Sequence, residues 1–108
     1  MEFEGVIKRA VEIRKEYAEL EKIKYGKTWD KRDLLQGLVG DVGDLSKFAM
    51  AKDGLRDIKN AEDEFKHELA ECLWSVLVLA NEYDIDMEKT FLETMNELGD
   101  KIKRLKNS

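Results

Sequence analysis

Two aspartates, Asp41 and Asp44, lie in the segment GDVGDLSKF (residues 40–48), which otherwise has the pattern of a buried helical face. At about 100° per residue, Asp41 falls within the apolar stripe of this helix and Asp44 falls at its margin. Burying a carboxylate without a partner is costly, so both side chains need one. Two further acids, Glu68 and Glu71, belong to a helix that is otherwise strongly apolar. If the two helices pack as antiparallel neighbours, the two carboxylate pairs face one another.

Four carboxylates in a partly dry cleft repel each other and, unaided, take up protons. Divalent cations relieve this repulsion, and an all-oxygen site without histidine or thiolate suits Mg²⁺ or Mn²⁺. A di-iron site is a weaker interpretation, because Glu64 and His67 form a single Glu-x-x-His pair where a di-iron bundle needs two. The sequence therefore predicts a magnesium or manganese site formed by Asp41, Asp44, Glu68 and Glu71.

Three other residues are candidates for binding a substrate. Lys47 follows Asp44 by about one helical turn and is placed either to contact a phosphate or to remain solvated. Trp29 precedes the same helix and is suited either to stacking on a base or to packing over the end of the bundle. Lys101, with Arg104 beside it, offers positive charge to phosphates, although basic residues in a last helical turn also suit the helix dipole.

The elements that must position these residues are four helices, and the apolar periodicity predicts an all-α chain. Helix one is expected from Phe3 to Lys24, helix two over residues 31–52, helix three over residues 61–83, and helix four from Met87 to about Leu105. We expect Asp30, Asn60 and Asp86 to be the N-caps of the last three helices. Helix two should end near Gly54, since glycine readily adopts the left-handed conformation.

Composition limits the classes of protein to consider. A chain of 108 residues forms one domain, and its net charge of −5 argues against binding nucleic acid polymers or anionic membranes. Cys72 is the only cysteine, which excludes an intramolecular disulfide and a thiolate metal cluster. The beginning of the sequence is acidic where a secretory signal would be basic, and the longest apolar run is too short to span a bilayer. We therefore expect a soluble, cytoplasmic protein.

Helix three is apolar around most of its circumference, as in the segment CLWSVLVLA (residues 72–80). A helix with this pattern must be central, and three other helices of so short a chain cover it only in part. We therefore expect a four-helix chain whose helical bundle is completed by oligomerisation, as a homodimer or homotetramer.

The segment LLQGLVGDVGDLSKF followed by HELAECLWSVLVLANEYDIDME resembles the MazG-like, all-α nucleoside triphosphate pyrophosphohydrolases. The family signature is E-x-x-E on one helix and E-x-x-D on the next, and the resemblance covers about residues 30–92. It implies a single MazG-like domain over residues 1–108, a dimeric or tetrameric assembly, and Mg²⁺ held by four acids. It also implies cleavage of nucleoside triphosphates to a monophosphate and pyrophosphate, of the house-cleaning type.

Carried over by position, Asp41 and Asp44 stand where the family has two glutamates, Glu68 matches, and Glu71 replaces an aspartate. The resemblance implies that Glu68 or Glu71 orients or deprotonates the attacking water. In helix four, Thr94 and Leu98 stand where relatives often have a lysine and an asparagine that reach the nucleotide, and Lys101 stands where a basic residue is common. The alternative is a non-catalytic helical dimer that binds a nucleotide or a partner protein.

Overall fold

The computed structural model describes residues 2–108 and contains four helices. These are α1 (Phe3–Tyr25), α2 (Lys31–Lys52), α3 (Ala61–Glu82) and α4 (Met87–Lys106). Within the described residues no β-strand occurs, so the all-α class is confirmed. The predicted helix boundaries agree with the observed ones to within one residue at most ends, since caps and apolar periodicity are local features of the sequence.

The helix ends follow the expected chemistry at three of four predicted positions. Asp30 and Asp33 form a reciprocal capping box at the start of α2, and Asp86 accepts a hydrogen bond from the Lys89 backbone N–H at the start of α4. Gly54 adopts the left-handed conformation just after α2, with φ of +79°. Asn60 occupies the N-cap position of α3, but its backbone is left-handed and its side chain makes no capping hydrogen bond within residues 2–108. Asn60 is therefore the N-cap residue as predicted, but its side chain does not cap the helix.

Helices α2 and α3 form the most extensive packed pair, and they run antiparallel as expected. At one end, Lys52 near the end of α2 forms an ion pair with Glu62 at the start of α3. At the other end, the ammonium group of Lys31 lies 4.7 Å from the centre of the Tyr83 ring. This register brings the middle of α2, with its two aspartates, opposite Glu68.

Helix α1 contacts α3 around Trp74. The indole N–H of Trp74 donates to the Ala10 carbonyl at 2.9 Å, and its ring lies 5.6 Å from the ring of Tyr17. The small apolar core is centred on α3, whose Leu77 and Val78 are each 3% exposed. Nearer the start of the same helix, Leu69 and Leu73 remain about half exposed. The chain therefore covers its most apolar helix only in part.

Helix α4 packs sparsely, and its main contact is with α3. Its apolar residues form a stripe that is about half exposed along its length: Phe91, Met95, Leu98, Ile102 and Leu105. The Cα radius of gyration is 17.4 Å, whereas a compact chain of this length is expected to have about 13 Å. Apolar surface along α4 is thus left uncovered by the other three helices.

Among residues 2–108, the search for a helix long and apolar enough to cross a bilayer finds none.

Candidate metal and ligand site

Three of the four predicted metal ligands meet between α2 and α3. One carboxylate oxygen from each of Asp41, Asp44 and Glu68 lies within 4.8 Å of the others. Asp41 and Asp44 are one helical turn apart on α2, so both reach the same side of α3. Asp44 is exposed, Asp41 is partly buried and Glu68 is buried, so the cluster runs from the surface inwards. A cation at this position has an open approach and a buried carboxylate behind it.

Glu68 is the most buried of the three acids in this cluster. It is only 8% exposed, and its Oε2 is buried without a hydrogen-bond partner in the described part of the chain. Burial raises the pKa of Glu68, and the neighbouring charges of Glu71, Asp41 and Asp44 raise it further. Burial raises the pKa of the Cys72 thiol as well, and the charges of Asp41, Glu68 and Glu71 raise it further. The cluster is therefore a focus of negative potential that favours either protons or a bound cation.

Glu71, the fourth predicted ligand, lies one turn further along α3 and contacts a different partner. Its Oε1 is 3.2 Å from Nε2 of His67, and its side chain is partly exposed. It contributes repulsion to Glu68, and it lines the cavity described next together with Asp41. The structure thus places Glu71 beside the cluster of three acids, where it faces the adjoining space.

A cavity of about 450 Å³ opens next to the acids, between α1, α2 and α3. Its walls are mainly aromatic and aliphatic, and the residues that define its shape are Tyr17, Leu20, Tyr25, Trp29, Leu34 and Trp74. Asp41 and Glu71 form part of its lining, so an apolar compartment is continuous with the acidic cluster. Three charged residues of α1, namely Arg14, Glu21 and Lys24, also line it. A mainly apolar space with a few charged groups is typical of small-molecule sites.

One wall of this cavity is the loop between α1 and α2, and a buried ion pair holds that loop. Arg14 donates two hydrogen bonds to Glu21, at 2.7 and 3.0 Å, and both side chains are more than nine-tenths buried. Arg14 also donates to the Trp29 carbonyl at 3.3 Å, and Glu21 accepts from the Trp29 N–H at 2.9 Å. The hydrogen bonds from Arg14 hold the pKa of Glu21 below its ordinary value.

The three predicted substrate-binding residues have different surroundings. Trp29 lines the cavity and is about half exposed. Lys47 lies near Asp44, with 3.9 Å between Nζ and Oδ1, and its ammonium is 5.3 Å from the centre of the Phe48 ring. Lys101 is an exposed residue of α4, the helix that packs least on the others. Trp29 and Lys47 therefore border the site, and Lys101 lies on a separate element.

Three glycines lie in the interior of α2, where glycine can allow the close approach of another helix or of a ligand. A Cβ built at Gly37, Gly40 or Gly43 would meet nothing within 4 Å among the described residues. No helix of residues 2–108 thus needs these glycines for close packing. Gly37 lines the cavity, so a side chain added there would project towards the space beside Trp29.

Sequence reasoning missed Arg14, Glu21 and Tyr17 as parts of the site. Arg14 and Glu21 stand seven positions apart, each four residues after a member of the apolar stripe of α1 (Ala10 and Tyr17). Opposite charges two turns apart at the edge of a stripe were therefore an available signal for a buried pair. Their bonds to the loop after the helix, in contrast, depend on how the chain turns at Gly26.

Searches of protein-family models, of curated proteins and of solved structures find no match to this chain.

Proposed function

We propose that the protein is a divalent-metal-dependent hydrolase that cleaves nucleoside triphosphates to a monophosphate and pyrophosphate. The observation on which this rests is the buried Glu68 carboxylate, whose Oε2 has no partner among residues 2–108 and which lies with Asp41 and Asp44 at the edge of an aromatic cavity. The resemblance of residues 30–92 to MazG-like pyrophosphohydrolases supports the same activity.

The donor set fits a hard divalent cation. Asp41, Asp44 and Glu68 supply only carboxylate oxygens, which are the ligands that Mg²⁺ and Mn²⁺ prefer. Because three acids within 4.8 Å repel each other, and one of them is buried, a cation removes a cost that the folded chain otherwise bears. We propose that these three residues hold Mg²⁺, with Glu71 as a fourth carboxylate from the side of the cavity.

A Mg²⁺ ion held by Asp41, Asp44 and Glu68 would supply positive charge to the triphosphate and to the leaving pyrophosphate. We assign Glu71 to orient or deprotonate a water. It lines the cavity and contacts His67, whereas Glu68 lies within the cluster of three acids. His67, 3.2 Å from Glu71, is able to take up the proton or to fix the orientation of the carboxylate. The water attacks the α-phosphorus, its proton passes to Glu71, and the bond to pyrophosphate breaks.

The cavity is suited to the aromatic part of the substrate. A nucleobase is flat and apolar on both faces, and the rings of Tyr17, Trp29 and Trp74 line the space. Its volume of about 450 Å³ exceeds the need of a base and leaves room for a sugar. The triphosphate would then extend towards Asp41 and Lys47.

Pyrophosphate release tests this proposal. The protein is incubated with Mg²⁺ and a panel of standard and modified nucleoside triphosphates, and we expect release of pyrophosphate that stops in excess chelator. Asp41→Asn should reduce turnover by about 100-fold or more with the fold intact. Asp57→Asn, which makes the same charge change in the exposed α2–α3 linker, should leave it unchanged. Turnover that persists in chelator contradicts the proposal.

Binding of nucleotide without any turnover would favour the alternative, a non-catalytic nucleotide-binding protein. The sequence feature that favours this alternative is the presence of Thr94 and Leu98 where MazG-like enzymes often have a lysine and an asparagine.

We also propose that the active form is a homo-oligomer in which a second copy of the chain covers α4. The exposed stripes of two α4 helices together offer on the order of 1,000 Å² of apolar surface, which is about the minimum for a specific interface. The half-exposed Leu69 and Leu73 of α3 extend the apolar surface available to a second copy. A homodimer is the simplest such assembly, and a homotetramer is built from two of them.

A further inference from the structure

We infer that Arg14 and Glu21 are positioning residues of the ligand site, acting through the backbone of Trp29 rather than by touching the ligand. This inference rests on the proposed function, because it assigns Trp29 to the wall against which an aromatic ligand binds. Glu21 accepts a hydrogen bond from the Trp29 N–H at 2.9 Å, and Arg14 donates one to the Trp29 carbonyl at 3.3 Å. The α1–α2 loop is thereby held against α1 at one residue.

The hydrogen-bonding groups of the pair are already engaged. Both Nη atoms of Arg14 donate to Glu21, and one of them also donates to Trp29, while Glu21 Oε1 accepts from Arg14 and from Trp29. With exposures of 7% and 6%, the two side chains are also shielded from the solvent side. Both residues also line the cavity, but their donors and acceptors already bond each other and the Trp29 backbone. We therefore assign their effect on a ligand to the loop that they hold.

Stability alone does not explain this pair. A buried ion pair contributes little net stability compared with apolar side chains of similar volume, because desolvation offsets the attraction. An apolar pair, however, cannot bond a backbone N–H and a backbone carbonyl at the same residue. Holding Trp29 is what this particular pair does and what an apolar replacement would lose.

The two ends of the α1–α2 loop are fixed by the residues that end α1 and begin α2. Gly26 ends α1 in the left-handed conformation, with φ of +76°, and donates to the Lys22 carbonyl. Asp30 begins α2 with its capping box. Between these two ends, the Arg14–Glu21 pair determines where the Trp29 backbone lies. Loss of the pair should therefore widen the cavity without moving α2 or its aspartates.

A double-mutant cycle with Trp29 tests the inference. The dissociation constant of a non-hydrolysable nucleoside triphosphate analogue is measured by calorimetry with Mg²⁺ present. Trp29→Ala should weaken binding about tenfold, the scale of one stacking contact. Arg14→Lys lacks the planar fork by which the guanidinium bonds both Glu21 oxygens and the Trp29 carbonyl. It should have a similar effect in the parent protein and less than about a twofold effect in the Trp29→Ala background. Arg9→Lys, an exposed position on the same helix, is the matched control and should change nothing.

The same cycle is repeated with inorganic tripolyphosphate, which lacks the aromatic part. We expect all variants to bind tripolyphosphate like the parent, because the acid cluster is untouched. If Arg14→Lys proves too unstable, the paired replacement Arg14→Met with Glu21→Met removes both charges and leaves none unpaired. Circular dichroism and thermal unfolding verify the fold of each variant.

Each outcome decides at least one of the two proposals, the positioning role of Arg14 and Glu21 or the hydrolase activity. The positioning role would be overturned if Arg14→Lys weakened binding of the analogue equally in the parent protein and in the Trp29→Ala background. Weaker binding of tripolyphosphate by Arg14→Lys would overturn it as well. Analogue binding with the expected cycle but without pyrophosphate release from hydrolysable triphosphates would overturn the hydrolase and support the positioning role. Failure of the parent protein to bind the analogue would overturn both.

Discussion

At the scale of single residues, the site depends on carboxylates in unequal environments. Glu68 is buried beside other acids, whereas Glu21 is buried beside a guanidinium, and their pKa values shift in opposite directions for this reason. Ionised Glu68 is thus a cost to the folded protein that a cation can offset, and ionised Glu21 is part of a satisfied network. Removing the charge of Glu68 should therefore raise the stability of the metal-free protein, whereas removing the charge of Glu21 should lower it.

Glu68→Gln should stabilise the metal-free protein, because it removes a buried charge and its repulsion with Asp41 and Asp44. We expect the free energy of unfolding in chelator to rise by about 1 kcal/mol, measured by urea denaturation. The variant should also lose the increase in Tm that Mg²⁺ gives the parent protein. Glu97→Gln, an exposed position on α4, should change neither quantity. A less stable Glu68→Gln in chelator would contradict the interpretation of this cluster.

The pH dependence of stability should report the Arg14–Glu21 pair. Because the folded-state pKa of Glu21 lies below its ordinary value of 4.5, its contribution is present above that pH and is lost as pH falls through the folded value. Urea denaturation at about pH 7 and about pH 4 measures this loss. The paired replacement Arg14→Met with Glu21→Met should show a smaller decrease between these two pH values.

At neutral pH, replacing one member of the Arg14–Glu21 pair should lower the free energy of unfolding more than replacing both members. Glu21→Gln leaves Arg14 buried without a counter-charge and should cost about 3 kcal/mol or more, whereas the paired replacement should cost less than about 1.5 kcal/mol. An equal cost for the two would mean that the charges interact little.

At the scale of elements, α2 combines acids on its inner margin with glycines that reduce its helical stability. Gly37, Gly40 and Gly43 lie in the interior of the helix, and a Cβ at each would meet nothing within 4 Å among residues 2–108. Packing within the chain therefore does not require glycine at these positions. The three glycines differ in location, because Gly37 lines the cavity of about 450 Å³ whereas Gly40 and Gly43 are not among its lining residues.

Substituting these glycines should separate stability from ligand binding. Gly43→Ala should raise the free energy of unfolding by about 0.5–1 kcal/mol, because alanine loses less backbone entropy in a helix. Gly37→Leu should leave stability similar or higher but weaken binding of a nucleoside triphosphate analogue, since its side chain projects towards the cavity. Calorimetry and urea denaturation on the two variants give both quantities. Unchanged binding in Gly37→Leu would show that the ligand does not occupy this cavity.

At the scale of the whole molecule, the described chain is extended and leaves apolar surface exposed. Its radius of gyration of 17.4 Å exceeds the value of about 13 Å expected for a compact chain of this length. Helix α4 packs sparsely on the rest of the described chain, and its apolar stripe is about half exposed. We expect the stripe to be covered in solution, and a second copy is the occupant that we propose.

Charge placed on the stripe should therefore dissociate the assembly. Phe91→Glu with Leu98→Glu should convert the protein to a monomer in sedimentation, because two acids would be buried in an apolar interface. Asn96→Glu, on the opposite face of α4, should leave the oligomer intact. A parent protein that sediments as a monodisperse monomer would contradict the proposed assembly.

The sequence by itself determined the four helices, most of their ends and the set of acids at the edges of apolar stripes. These features are local: a capping aspartate, a glycine after the last turn and a three-to-four spacing act over a few residues. The expectation that Asp41, Asp44 and Glu68 would meet was also accessible, because it follows from packing α2 and α3 as antiparallel neighbours.

Only the tertiary structure decided which acid is buried, which faces the cavity and what holds the loop. Glu68 and Glu71 are one turn apart on the same helix, and only the rotation of α3 against α2 makes one of them buried and the other partly exposed. Likewise, the bonds of Arg14 and Glu21 to Trp29 depend on the path of the chain after Gly26. Such features arise from contacts between elements, and the periodicity of a single helix does not contain them.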